Sequence, residues 1–505
     1  MRSRAFGLFV GWRIFSSCCF ALLCLRFVLA IFLGGQTDTC VAAALFTGPF
    51  LLGYFRSHAA LFAFTALMLI LNGLSQSTFF PLGLGPSFVF SAIYLGLFVR
   101  RSIDAIRSVD PAPASRICSL QIVVEAIALA VIASLAIRIW TSRYSMGFWH
   151  VLFGHTILGF GDPFYFLTSA FLWLQGLFFF QELSRLNEDG ESSGKVLHDW
   201  MRPVFQIYAT TIGVFLAFQF ITNIPQPLEG FAYFLPCEDI SSFGSICVTV
   251  YAYFVALAFG AQGRWRTWAP FGGVALVGVV ASWSRGTWLS AMLISLAVAF
   301  VRLPLRKRLM TTAVAIFALG VLCSNSNREA WLRIPYVSRL LDLVRIENPL
   351  KKSPERIFLY KKAFAMIRNR PLTGYGIGSF YRASTGFAQT SDPNGSTPDF
   401  AHDMFLEVAA ELGIPVAVLL GCLTVCAIYR GLKSGWTSGA SGSSSALFLY
   451  PPRLETGCAA CALACYVETQ FTANSVNVYP SNQFLFWTLI AFLWHSNRSE
   501  NSVPR

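Results

Sequence analysis

Long apolar runs alternate with short clusters of basic residues along the whole chain, and this pattern constrains the fold more than any other feature. Apolar segments lie near residues 14–34, 40–55, 59–74, 79–99, 117–140, 163–180, 203–223, 243–261, 268–284, 286–301, 309–323, 404–429, 456–473 and 482–495. An upright membrane helix needs roughly 20 apolar residues, and several segments fall short of that, so the pattern predicts about 12–14 transmembrane helices. Only 12% of the residues are charged and 55% are hydrophobic, against about 25% charged in a soluble globular chain. A soluble enzyme is excluded. The net charge of +13 resides between apolar runs, where basic residues anchor a membrane protein, so nucleic-acid binding is excluded as well. The run from Gly7 to Gly34 carries Arg13 and Arg26 and no A-x-A cleavage pattern, and it reads as an uncleaved first span. Cysteines such as Cys18, Cys24, Cys247 and Cys422 sit inside apolar runs, where Cys behaves as a small hydrophobe. The Cys458-x-x-Cys461 pair sits among small residues and reads as tight helix packing, not as redox or metal chemistry.

With the N-terminus inside, Arg100, Arg101 and Arg107, then Arg185 and Lys195, then Arg264 and Arg266, then Arg302, Arg306, Lys307 and Arg308, then Arg430 and Lys433 all fall on the inner side. Every clustered basic loop then obeys the positive-inside rule. The same placement puts residues 324–403 outside as one large loop, between an N-terminal bundle of about 11 spans (1–323) and about 3 C-terminal spans (404–505). That loop holds 12 Lys and Arg against 7 Asp and Glu. An outward excess of cations suits a phosphate-bearing ligand. Residues 435–445 read as a flexible inner linker.

Within the loop, Ser353-Pro354-Glu355 starts a helix and Asn369-Arg370-Pro371 ends it. Ile357, Tyr360, Phe364 and Ile367 are expected to form its apolar stripe, with Arg356 along one edge and Lys361 and Arg368 along the other. Such a helix suits the headgroup region. The glycines of Gly374-Tyr375-Gly376-Ile377-Gly378 permit a path that turns main-chain N–H groups toward an anion. Three residues are expected to meet at the outer face: Arg285, Arg356 and His402. A guanidinium is planar, permanently charged and forked, so it suits a pyrophosphate, and an imidazole suits a general base. Asp403, Glu407 and Glu411 follow at i, i+4 and i+8 on one helical face. On a continuous helix Glu411 lies about 12 Å below the start, where a carboxylate needs a cation, and Arg285 or Arg356 is the expected partner. Glu125 is a second isolated membrane acid, with no partner apparent in the sequence.

SWSRG, PERIFLYKKAFAMIRNRPLTGYGIGSF and AHDMFLEVAAELGIP, in that order, with three spans after the loop, resemble the O-antigen ligase and O-antigen polymerase superfamily of bacterial inner-membrane glycosyltransferases. The resemblance covers roughly residues 268–429. It implies an all-α, GT-C-like fold, residence in the inner membrane, and an active site facing the periplasm. It also implies metal-independent transfer of a glycan from undecaprenyl pyrophosphate to a glycan or lipid A–core acceptor, without a cofactor. Arg285 and Arg356 match the family's pyrophosphate-holding arginines, and His402 its catalytic base; Tyr360, Lys361, Gly376, Gly378, Glu407 and Glu411 are expected to support them. The family usually has Asn after that histidine, whereas Asp403 here raises the proton affinity of a neighbouring imidazole. A polymerase, a protein O-glycosyltransferase, a lipid-linked sugar transporter and a non-catalytic assembly protein are the alternative readings.

Overall fold

The computed structural model describes residues 2–33, 39–55, 57–74, 86–107, 119–145, 147–148, 151–152, 162–186, 193–221, 240–258, 265–282, 284–302, 310, 354–387, 401, 403–436 and 480–495. Among them every regular element is a helix, as a chain must be whose backbone polar groups find no water in a bilayer. Helices Phe9–Leu33, Leu120–Ser142 and Ile414–Gly431 are each long and apolar enough to cross a membrane, and Thr39–Phe55, Phe243–Ala258, Gly286–Leu296 and Phe484–Trp494 are shorter apolar helices. Most of the expected span at 309–323 and of the linker, all of the expected span at 456–473 with the Cys458–Cys461 pair, and most of 324–403 lie outside the described residues.

The chain forms two compact units. The first comprises Met1–Val204, Phe358–Cys426 and Asn474–Ala491. It contains α1 (Arg2–Leu33), α2 (Thr39–Phe55), α3 (Ser57–Leu74), α4 (Pro86–Arg107), α5 (Ser119–Ser142) and α6 (Phe166–Leu186). Lipid is as apolar as leucine, so these helices associate through packing and polar contacts. Phe20 stacks on Phe178 with ring centroids 4.7 Å apart, and Phe179 meets Phe484 edge-on at 4.6 Å. Helices α2 and α4 approach backbone to backbone: a Cβ on Gly53 would fall 2.2 Å from the Ile93 carbonyl oxygen.

The polar contacts supply the partner that the sequence left unnamed. Glu125 on α5 accepts hydrogen bonds from Ser16 Oγ (2.9 Å) and Gln181 Nε2 (2.7 Å) and lies 3.6 Å from Arg13 Nε. Glu182 on α6 is held bidentately by Arg101 and by Arg185 at 2.8 Å. Arg26 donates to the carbonyls of Leu152 (2.6 Å) and Val151 (3.0 Å). An acid buried at these depths persists only with such company.

The second unit comprises Phe205–Ile357, Ala427–Ala473 and Phe492–Arg505. After α7 (Ser193–Ile221) come α8 (Ile240–Ala258), α9 (Trp265–Ala281) and α10 (Arg285–Arg302), and α8 packs against both α9 and α10. Small residues again allow the approach, since Gly278 faces Cys247 and Ile212.

Candidate functional site

The turn between α9 and α10 is built from hydroxyls. Ser282 Oγ donates to the Val279 carbonyl (2.7 Å) and lies 2.9 Å from Thr287 Oγ1, while Trp288 Nε1 donates to the same Val279 carbonyl (2.9 Å). Ser282, Ser284 and Thr287 are all buried. This lattice makes Arg285 the first residue of α10, whose first turn contains no acid. A helix N-terminus carries roughly half a positive charge, so the backbone and the residue type there both favour an anion. The Arg285 side chain lies outside the described residues, as does that of Arg356, whose backbone belongs to the first turn of α11 (Pro354–Asn369).

In the first unit, α11 is followed by a glycine-rich loop, α12 (Phe380–Thr385) and α13 (Met404–Leu412). Ala363, Met366, Phe380, Ala401 and Ala410 form their common core. The face of α11 buried within the protein is thus Leu359, Ala363 and Met366, with Lys362, while Ile357, Tyr360 and Ile367 of the expected stripe are half-buried. Phe364 is 59% exposed, between the exposed Lys361 and Arg368. Two apolar sets run along this helix, one covered by the glycine loop and α13 and one, centred on Phe364, left open.

The run from 404 to 429 is two helices, not one. Gly413, at φ +92°, separates α13 from α14 (Ile414–Trp436). Its Cβ position lies 2.2 Å from the Leu372 carbonyl oxygen, so only glycine fits. Ile414 N donates to Pro371 O at 2.8 Å. Glu411 therefore belongs to a short helix that precedes the membrane-length segment Ile414–Gly431. Among the described residues the Glu411 carboxyl is held by main chain: Gly378 N and Phe380 N each donate to it at 2.8 Å. The glycine loop does present its amides to an acid, and that acid is the protein's own. Gly374, Gly376 and Gly378 all have positive φ. Tyr375 N and Gly376 N pair with the carbonyls of Ala410 and Glu411 at 2.9 and 2.8 Å.

Helix α5 supports this assembly. Ile377 N donates to Ser134 Oγ (2.9 Å), and α13 packs on α5. Arg138 lies against Gly376, with its guanidinium over the Phe166 ring at 5.2 Å from the centroid. Enclosure, and then the neighbouring Glu407, push the Glu411 carboxyl up to about 8, against the opposing pull of the two amides and of Arg138. Sequence reasoning missed Arg138, because an arginine near the end of an apolar run looks like an anchor. The available signal was its helical register with Ser134, one turn earlier.

His402 lies outside the described residues, but both its neighbours are fixed. Ala401 is buried, and its N–H donates to Glu407 Oε2 at 3.2 Å. Asp403 caps α13, accepting from Phe405 N (2.9 Å) and Leu406 N (3.0 Å). Burial raises the Asp403 carboxyl above its ordinary value, against these two amide bonds. Glu407 and Asp403 thus hold the chain on either side of the histidine.

No curated protein matches the chain. A family model described as O-Antigen ligase matches residues 246–421, a stretch that runs from α8 to α14 and includes Arg285, the glycine loop and α13. Over that stretch the chain is an O-antigen ligase domain, the mark of a family of multi-pass membrane enzymes that transfer lipid-linked glycans in lipopolysaccharide synthesis.

Proposed function

We propose that the protein transfers a glycan from undecaprenyl pyrophosphate to a hydroxyl of lipid A–core at the periplasmic face of the bacterial inner membrane. The start of α10 carries this reading: an arginine is the first residue of a helix whose first turn holds no acid, and the partial positive charge of that helix end favours an anion. A pyrophosphate supplies that anion. Arg285 and Arg356 hold it and stabilise the charge that grows as the glycosyl bond breaks. His402 takes the proton of the acceptor hydroxyl, whose oxygen attacks the anomeric carbon. The bond from that carbon to the pyrophosphate oxygen breaks, undecaprenyl pyrophosphate leaves as an anion, and the anomeric configuration inverts. The energy is that of the glycosyl pyrophosphate, and the arginines perform the charge stabilisation that a divalent ion supplies elsewhere.

Purified protein given a lipid-linked glycan and lipid A–core tests each part. Transfer in EDTA is expected to equal transfer in magnesium, and His402→Ala to lose about 10²- to 10⁴-fold in rate with donor binding retained. Arg285→Lys keeps the charge but not the fork, and is expected to weaken donor use. A loss in EDTA that magnesium restores, or wild-type transfer by His402→Ala, defeats the mechanism. Extension of a second lipid-linked glycan in place of lipid A–core makes the enzyme a polymerase.

A further inference from the structure

The ends of α1, α4 and α6 enclose a cavity of about 390 Å³ whose lining includes Arg13, Arg101, Arg185, Ser17, Tyr94 and Phe98. It is remote from the candidate site of the first unit. Glu125, which pairs with Arg13, and Arg138, which abuts the glycine loop, are 13 residues apart on α5, or about 20 Å. The chemistry of the cavity is cationic. Three guanidiniums and no acid are among its lining residues, and among the described residues Arg13 pairs with Glu125 while Arg101 and Arg185 share Glu182. The three side chains remain 21%, 39% and 30% exposed in their pairs, so each keeps accessible surface beside its carboxylate. The hydroxyls of Ser17 and Tyr94, bonded to each other, and of Ser102, which donates to the Phe98 carbonyl at 2.9 Å, add polar lining, and Val10, Ile14 and Phe98 add apolar wall. Arg13 lies four residues inside the start of the segment Phe9–Leu33, a depth of about 6 Å, which is the headgroup boundary.

We propose that this cavity binds the phosphate of an anionic membrane lipid. The lining guanidiniums meet the phosphodiester and the apolar wall meets the upper acyl chain. A basic recess between membrane helices is the usual form of such a site, and the volume lies within the range of about 300–1,000 Å³ of small-molecule sites. A free phosphate uses the cations but not the wall.

The test uses full-length protein in detergent, stripped of lipid, with binding read by native mass spectrometry. The probes are phosphatidylglycerol, zwitterionic phosphatidylcholine and inorganic phosphate. Phosphatidylglycerol is expected to bind at least about tenfold more tightly than either of the others. Two variants divide the site. Arg13→Gln removes one cation and leaves Glu125 its bonds from Ser16 and Gln181. Ala105→Phe fills the cavity from an exposed lining position and leaves all three arginines and both carboxylates in the chain. Both are expected to lose at least about tenfold in phosphatidylglycerol affinity, with an unchanged melting temperature of the stripped protein for Ala105→Phe. Undiminished binding by Ala105→Phe, equal binding of phosphatidylcholine, or inorganic phosphate binding as tightly as the lipid each overturns the proposal.

Discussion

Glu411 shows how one residue's ionisation is settled by opposing neighbours. Full enclosure and Glu407 favour the neutral acid, while two main-chain N–H groups and Arg138 favour the anion, and the balance sets the carboxyl at about 8. In the unfolded chain the same group titrates near 4.5. The folded value is the higher one, so the folded state binds the extra proton. Glu411 thus contributes stability that is complete below about pH 4.5 and is lost as the pH rises toward about 8. Thermal unfolding in detergent checks this. The wild-type midpoint is expected to fall from about pH 5 to about pH 8 more steeply than that of Glu411→Gln. The glutamine has no titration here, and its NH₂ faces an N–H donor, so it also costs about 1–3 kcal/mol at the lower pH. Parallel pH profiles for the two proteins would contradict the assignment.

At the scale of elements, α13 owes its start to Asp403 and its end to Gly413. Asn caps a helix about as well as Asp, so Asp403→Asn is expected to fold normally, whereas Asp403→Ala loses about 1 kcal/mol. The asparagine also removes a negative charge next to His402. The imidazole then loses its proton at lower pH, and the acid limb of the rate profile for glycan transfer is expected to move down in pH. An unmoved limb with wild-type stability would remove His402 from the role of base. The sequence conveyed where these helices meet lipid better than where they begin and end. The expected spans 286–301 and 482–495 correspond to Arg285–Arg302 and Pro480–His495. The helix of the expected span 79–99 runs on to Arg107, because hydropathy marks the edge of the apolar region while the basic tail continues the helix. The break at Gly413 was hidden inside an apolar run, although Gly413-Ile414-Pro415 carries the residue types of an interruption. The partners of Glu411 and Glu125 were illegible for a different reason: they come from residues 31–33 and 56–112 positions away. Periodicity within one helix has no access to such pairings.

For the whole molecule, the distribution of basic residues predicts a single orientation, with residues 324–403 outside and residues 435–445 inside. Single cysteines at Ser391 and Ser443 in an otherwise cysteine-free variant are expected to divide accordingly: an impermeant thiol reagent on intact cells labels the first and spares the second. Labelling of Ser443 alone reverses the orientation and removes the proposed reaction from the periplasm. The tie between Glu411 and the glycine loop also has a consequence for how the chain is made. Phe380 and Glu411 are 31 residues apart, and synthesis at about 5–20 residues per second separates their appearance by roughly 2–6 seconds. For that interval the nascent loop has water at its amides instead of a carboxylate, and the last acid of α13 to be translated is the one that closes it.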